Sequence, residues 1–87
     1  MNATVYILRD GKGRFYIGST TDLARRLKQH ALKHTQTTAR MNEPKLVLSQ
    51  DYESLKQARM IERRLKNLKR KDYIEKIVSD GHIKIVL

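Results

Sequence analysis

The sequence predicts an α+β domain, in which a three-stranded antiparallel sheet is flanked by helices in the order β-β-α-β-α-α. Two runs rich in β-branched and aromatic residues, TVYIL (4–8) and RFYIG (14–18), flank a glycine-containing turn and predict a β-hairpin. A third strand-like run, KLVLSQDY (45–52), follows Pro44. Elsewhere, apolar residues recur at helical spacing, which predicts helices that cover the sheet.

Turn and cap signals set the expected bounds of these elements. The segment RDGKG closes the hairpin, because its aspartate and glycines suit a tight turn. The polar STTD that comes after the second strand predicts the start of a first helix, which should run from about Asp22 to Lys33. Residues 34–43 belong to the longest polar stretch of the chain and are expected to form a loop.

The second half of the chain predicts two helices and a tail. Ser54 and Gln57 resemble a capping box, and apolar residues follow at helical spacing: Leu55, Ala58, Ile61, Leu65 and Leu68. A third helix is expected at about 72–79, ending at Asp80-Gly81. The tail HIKIVL (82–87) is β-like, which favours an extra C-terminal edge strand or pairing with another chain.

Length and composition bound the class of protein. With 87 residues the chain suits a single domain over 1–87, with a core at about 4–78 and a tail at 80–87. The absence of cysteine excludes disulfides and thiolate metal sites and fits a reducing compartment. The first residues lack a secretory signal and no run is long enough to span a membrane, so a cytoplasmic protein is expected.

The charge favours a polyanionic partner. Lysine and arginine number 19 against 9 aspartates and glutamates, which gives a net charge of +10 on a small surface. Nucleic acid is therefore the expected partner. An anionic membrane is the alternative, but the basic helices also carry an apolar stripe suited to a core.

One acidic residue stands out in the basic stretch ARMIERRLKNLKRK (58–71). Because each helical residue turns by about 100°, Glu62 falls between Leu55 and Ala58, on the rim of the apolar stripe. It is thus expected to point partly toward the fold, where a carboxylate could hold a divalent cation. An ion pair with Lys66 or Arg59 is the simpler explanation.

Four other side chains are expected to converge with Glu62 at one edge of the fold. Arg26 and His30 form an i, i+4 pair beside the apolar stripe of the first helix. Tyr6 and Tyr16 can share one face of the hairpin, because side chains alternate along strands. Together with Glu62 they would suit phosphodiester cleavage, in which a metal neutralises the phosphate and a guanidinium stabilises the transition state. Alternatively, the tyrosines only pack, and the arginine and histidine are solvated helix residues.

These residues resemble the GIY-YIG nuclease domain, which is named for two tripeptides on its first two strands. The second tripeptide is intact as Tyr16-Ile17-Gly18, whereas the first reads Thr4-Val5-Tyr6 and keeps only the tyrosine. The continuation YIGSTTDLARRLKQH is similar to the family's strand and helix that bear an arginine and a histidine, here Arg26 and His30. The segment ARMIERRLKNL resembles the family's helix with a metal-binding glutamate, here Glu62.

The resemblance implies a metal-dependent DNA endonuclease of the small stand-alone branch, with one divalent cation, Mg²⁺ or Mn²⁺, at Glu62. It also implies that Tyr6 or Tyr16 helps to activate water and that Arg26 stabilises the phosphate. In one departure, Ile74 stands where some members carry an asparagine. The DNA would be held through its phosphates, with little sequence preference, by seven basic residues: Arg59, Arg63, Arg64, Lys66, Lys69, Arg70 and Lys71.

Three functions stay open at this point. The first is a DNA endonuclease with low sequence specificity or selectivity for DNA structure. The second is a catalytically inactive, basic nucleic-acid-binding module of the same fold, for which RNA is also a candidate partner. The third is a protein-interaction domain that uses the C-terminal strand. A monomer is expected, with a dimer through that strand as the alternative.

Overall fold

The computed structural model describes residues 2–31 and 43–85, and its elements follow the predicted order. In chain order they are β1 (Ala3–Arg9), β2 (Phe15–Thr20), α1 (Leu23–Ala31), β3 (Lys45–Tyr52), α2 (Leu55–Leu68) and α3 (Lys71–Asp80). The α+β class and the three-stranded antiparallel sheet are confirmed. The predicted end of the first helix, residues 32–33, and most of the predicted loop lie outside the described residues.

The sheet has the strand order β2-β1-β3, so β1 is central and β2 is an edge strand. Side chains of β1 alternate between the two faces. Val5 and Ile7 pack in one core cluster with Ile61 and other residues of α2. Tyr6, which lies between them, faces the opposite side and is also buried. The sheet is therefore covered on both faces along β1, which explains the continuous apolar run in that strand.

The β1–β2 turn is closed by one buried carboxylate. Asp10 accepts hydrogen bonds from the backbone amides of Lys12 and Arg14, at 3.0 Å and 2.7 Å, and from Nε of Arg14 at 2.8 Å. Gly13 adopts φ 80°, a conformation that glycine reaches without strain. These bonds fix the position of β2 against β1.

The start of α2 uses the predicted cap in modified form. The Ser54 hydroxyl accepts a hydrogen bond from the Gln57 amide at 3.2 Å. The Gln57 side chain accepts in return from the amide of Glu53, one residue before the position a capping box uses. From this start, Ala58, Ile61 and Leu65 are buried against the sheet.

The tail departs from the predicted edge strand. Residues 82–85, the described part of the tail, form no strand. Instead, the amide of Ile83 donates to the side-chain oxygen of Gln50 at 2.7 Å, and the Gln50 amide group donates to the Ile83 carbonyl at 3.3 Å. Because one side chain satisfies both backbone groups of Ile83, no strand ladder is needed to bury this residue in the core.

None of the helices in residues 2–31 and 43–85 is both long enough and apolar enough to cross a bilayer.

Candidate active site

Three aromatic rings cluster on the face of the sheet opposite α2. The ring centroids of Tyr6 and Tyr16 are 6.1 Å apart, and the His30 ring lies 5.7 Å from the first and 4.9 Å from the second. A hydrogen bond of 2.9 Å joins the Tyr6 hydroxyl and Nε2 of His30. Tyr6 and His30 are buried, whereas Tyr16 is only partly buried. These contacts fasten α1 to the hairpin.

Arg26 joins this cluster through its guanidinium. It donates a hydrogen bond to the Tyr6 oxygen, and its Nη1 donates to Oε1 of Gln29 at 3.3 Å. Its Nε is buried and has no hydrogen-bond partner within the described ranges. Buried donors are nearly always paired, because an unsatisfied one costs about 1–3 kcal/mol. An anionic acceptor beside Arg26 would therefore be stabilised.

Burial sets the protonation states of the two hydrogen-bonded rings. It raises the pKa of Tyr6 to about 12, although the hydrogen bond from Arg26 opposes the shift. The pKa of His30 is lowered, first by burial and then by the positive charge of Arg26. At neutral pH both residues are therefore uncharged, and Arg26 carries the positive charge of the cluster.

Gly18 is required by the position of the Tyr6 ring. The two residues are direct partners in the β1–β2 ladder. A Cβ atom at residue 18 would lie 2.5 Å from the Tyr6 hydroxyl oxygen and 2.6 Å from its ring carbon Cζ. The glycine of the second tripeptide thus makes room for the tyrosine of the first.

Glu62 is held by two neighbours on the other face of the sheet. The Ser19 hydroxyl donates to Oε1, and the Lys66 ammonium group forms an ion pair with Oε2. The ion pair with Lys66 that the sequence offered is present, but the contact with Ser19 was not predicted. The polar STTD segment predicts a helix start, and no sequence signal links its serine to a residue 43 positions away.

The structure therefore places the five candidate residues on two sides of β2. Tyr6, Tyr16, Arg26 and His30 contact one another on one face. Glu62 contacts Ser19, which follows Gly18 and points to the other face because side chains alternate. The two sides adjoin at the free edge of β2. A groove along this edge is lined by Tyr16 from the aromatic cluster and by Lys66, the ion-pair partner of Glu62.

Comparison with known proteins identifies the family of this chain. The family model described as the GIY-YIG catalytic domain matches residues 2–76. The chain belongs to the GIY-YIG family.

A similar solved structure is that of a UPF0213 protein from Bacillus halodurans, determined by solution NMR. It is 34% identical, with a TM-score of 0.59, and the match covers 93% of this chain and 87% of that one. No curated protein shows a significant match. The resemblance drawn from the tripeptides is confirmed, and the fold is of the nuclease type.

Two departures from the GIY-YIG pattern have structural explanations. Thr4, in the altered first tripeptide, donates a hydrogen bond of 2.7 Å from its hydroxyl to Asp51 of β3. It therefore links two strands at the end of the sheet. Ile74 is 5% exposed and packs in the core cluster. An apolar residue at this place stabilises the junction of α3 with the sheet, and it offers no polar group to a substrate.

The residues around Glu62 fit the divalent cation that GIY-YIG nucleases generally use. Among residues 2–31 and 43–85, no three acidic, histidine or cysteine side chains lie close enough together to hold a metal ion by themselves. One carboxylate suits Mg²⁺, which keeps several waters and takes its remaining ligands from the substrate phosphate. The Glu62 side chain is 20% exposed, and the side chain of its ion-pair partner Lys66 is 53% exposed. This donor set fits a cation held by one carboxylate, water and phosphate.

Six of the seven basic residues predicted to bind DNA border one or both of two depressions. An open depression of about 330 Å³ around Glu62 is bordered by Arg59, Arg63 and Lys66. A groove of about 620 Å³ beside β2 is bordered by Lys66 together with three residues of the α2–α3 junction: Lys69, Arg70 and Lys71. Lys66 borders both, and Arg64 borders neither. The positive surface is thus continuous across Lys66.

Proposed function

We propose that this chain is a divalent-metal-dependent DNA endonuclease with low sequence specificity or with selectivity for DNA structure. The observation that carries the proposal is the buried Nε of Arg26. Over the described ranges it is the one buried side-chain polar atom without a hydrogen-bond partner. A guanidinium held in place by a tyrosine offers a charged, oriented donor to a phosphate oxygen.

We assign Tyr16 as the residue that helps to activate the attacking water. Tyr6 is the poorer base, because burial raises its pKa to about 12 and its hydroxyl is engaged by His30 and Arg26. Tyr16 is only partly buried and lines the open groove. In this assignment, Tyr6 and His30 position Arg26, which contacts the phosphate.

Glu62 is proposed to hold one divalent cation, Mg²⁺ or Mn²⁺. When bound, the cation supplies neutralisation of the phosphate charge. The Ser19 hydroxyl fixes one oxygen of the carboxylate, which restricts its orientation. Lys66 leaves the carboxylate and pairs with a phosphate instead, because its side chain is long and half-exposed.

DNA is the proposed partner, held chiefly through phosphate contacts. The net charge of +10 and the two adjoining basic depressions support it. RNA would meet the same charges. We further propose a monomeric domain over residues 1–87. The Gln50–Ile83 contact supports a monomer, because it ties the tail to its own sheet. The absence of cysteine supports a cytoplasmic setting.

A catalytically inactive nucleic-acid-binding module is the second candidate. Two observations favour it. Ile74 stands in the core at a position where some family members carry an asparagine. In addition, the Lys66 ammonium group occupies one oxygen of the proposed metal ligand Glu62.

Cleavage of supercoiled plasmid and of branched DNA, with Mg²⁺, Mn²⁺ or chelator, separates the two candidates. We expect metal-dependent nicking by the wild type and none by Glu62→Gln, with DNA affinity retained. Glu53→Gln is the matched control, because Glu53 is an exposed acid at the start of α2. Equal nicking by wild type and Glu62→Gln would contradict the endonuclease. Salt-sensitive binding without any cleavage would support the inactive module.

A further inference from the structure

The groove beside β2 combines a positive rim with an apolar floor. Its rim carries five basic side chains: Arg14, Lys66, Lys69, Arg70 and Lys71. The floor is formed by the exposed parts of Phe15 and Tyr16 and by small portions of Ile17, Leu65 and Ile74. No carboxylate is among the described residues that line it.

Two of the five rim cations have no acidic partner. Lys69 and Lys71 form no ion pair with any residue of the described ranges. The other three rim residues are paired, as Arg14–Asp10, Lys66–Glu62 and Arg70–Asp72. The groove therefore keeps an uncompensated positive charge at the α2–α3 junction.

The backbone at Lys69 adds a second observation. Lys69 ends α2 with φ 50°, in the left-handed region that glycine adopts without strain. A lysine there destabilises the fold relative to glycine. Non-glycine residues in this region are enriched at functional sites, and here the side chain borders the groove.

The shape and chemistry of the groove distinguish two kinds of DNA. A blunt duplex presents phosphates and keeps its base faces stacked inside, so it would leave the apolar floor uncovered. An unpaired strand exposes its base faces as well as its phosphates. It can place phosphates on the rim while bases pack against Phe15 and Tyr16.

We propose that the groove beside β2 is a binding subsite for an unpaired segment of DNA. The proposal deepens the proposed nuclease function and rests on DNA being its substrate. Because Lys66 borders both depressions, a strand in the groove continues directly to the surface around Glu62. The substrate class is then DNA in which a single-stranded segment adjoins the cleaved bond.

Fluorescence anisotropy in the presence of chelator tests the subsite without cleavage. The probes are a fluorescein-labelled oligothymidylate of about 15 nucleotides and a blunt duplex of about 15 base pairs. The variant Lys69→Asn/Lys71→Gln removes the two unpaired rim charges, and asparagine tolerates the left-handed backbone. We expect it to weaken oligothymidylate binding about tenfold and duplex binding about twofold.

Lys56→Gln/Lys76→Gln is the matched control, since both lysines are exposed, lie on helices and border neither depression. This control variant should weaken the binding of both probes equally, by about twofold. Phe15→Leu tests the floor separately, because it keeps an apolar side chain and removes the ring. We expect it to weaken oligothymidylate binding about fivefold and to leave duplex binding unchanged.

Equal losses for the two probes in the Lys69/Lys71 variant, or unchanged oligothymidylate binding by Phe15→Leu, would overturn the subsite. Plasmid nicking by the wild type is measured alongside, so that failure of the subsite can be distinguished from failure of the proposed endonuclease. If the wild type nicks plasmid and the Lys69/Lys71 variant loses affinity equally for both probes, only the subsite proposal is wrong. If oligothymidylate affinity falls selectively and the wild type does not nick plasmid, the endonuclease proposal is wrong and the subsite proposal stands.

Discussion

The ring of Tyr6 lies across Gly18 of the neighbouring strand, closely enough that any side chain at residue 18 would overlap it. Tyr6 has little freedom to retreat, because its hydroxyl is bonded to His30 and Arg26. This contact links the two tripeptide motifs physically, and it makes the backbone of β2 part of the aromatic cluster.

Gly18→Ala should lower the free energy of unfolding by about 1–3 kcal/mol, because the new methyl group overpacks a site that cannot relax. Urea unfolding measures the change. Gly11→Ala is the control, since Gly11 is exposed in the hairpin turn and its φ is not positive. If the two variants unfold at the same urea concentration, the contact does not restrict residue 18.

His30 should make the stability depend on pH. Its pKa is lowered in the folded protein, so the unfolded chain binds the proton more tightly. The stability is therefore fully present above the ordinary histidine pKa of about 6.5 and is lost as the pH falls from there through the folded value. Urea midpoints at several pH values between about 5 and 8 should show this loss.

His30→Gln should flatten that dependence, because it removes the titrating group. His82→Gln is the matched control, since His82 is exposed. If the slope persists in His30→Gln and disappears in His82→Gln, the pH dependence has been assigned to the wrong histidine.

Ser19→Ala should weaken cation binding, because Glu62 loses the hydroxyl that fixes its Oε1. Loss of such an outer contact typically reduces metal affinity by about 10–100-fold. Calorimetric titration with Mn²⁺ measures the affinity without any cleavage. Ser19→Thr keeps the hydroxyl and should restore part of the binding, while Ser49→Ala, at an exposed site of β3, should have no effect. Unchanged affinity in Ser19→Ala would argue against a positioning role.

Tyr16→Phe should reduce the DNA cleavage rate by about 10²–10⁴-fold with little change in DNA affinity, because it removes the proposed base.

Tyr6→Phe should act differently from Tyr16→Phe. It removes the oxygen that accepts from Arg26, so it should lower the stability by about 1–3 kcal/mol and reduce cleavage less than Tyr16→Phe does. Single-turnover cleavage and urea unfolding of both variants test the assignment. The larger rate loss in Tyr6→Phe would reverse it.

Local patterns predicted the elements well and long-range contacts poorly. β3 has the predicted bounds, because Pro44 and the apolar run Leu46–Leu48 define it locally. The rim position of Glu62 also follows from helical periodicity alone, and the side chain is partly buried as expected.

The contacts that set the site join residues far apart in sequence. Ser19 and Glu62 are 43 residues apart, and Gln50 and Ile83 are 33 apart. Neither pair belongs to a motif. Each pair forms because a helix or the tail covers one particular face of the sheet. The alternation of side chains along a strand does not determine which face is covered. For the same reason, the placement of Glu62 across β2 from the aromatic cluster could not be derived from periodicity.

The contact between Gln50 and Ile83 makes the effect of proteolytic trimming depend on the site of the cut. Cleavage after Lys84, an exposed residue, removes the partly buried Ile85 but leaves Ile83 in the core with its hydrogen bonds intact. Cleavage before Ile83 removes a side chain that is 4% exposed, together with both backbone partners of Gln50. The Gln50 side chain then loses two hydrogen bonds and keeps the one to the Tyr52 hydroxyl, while the core is opened at Ile83, so the shortest stable fragment includes Ile83.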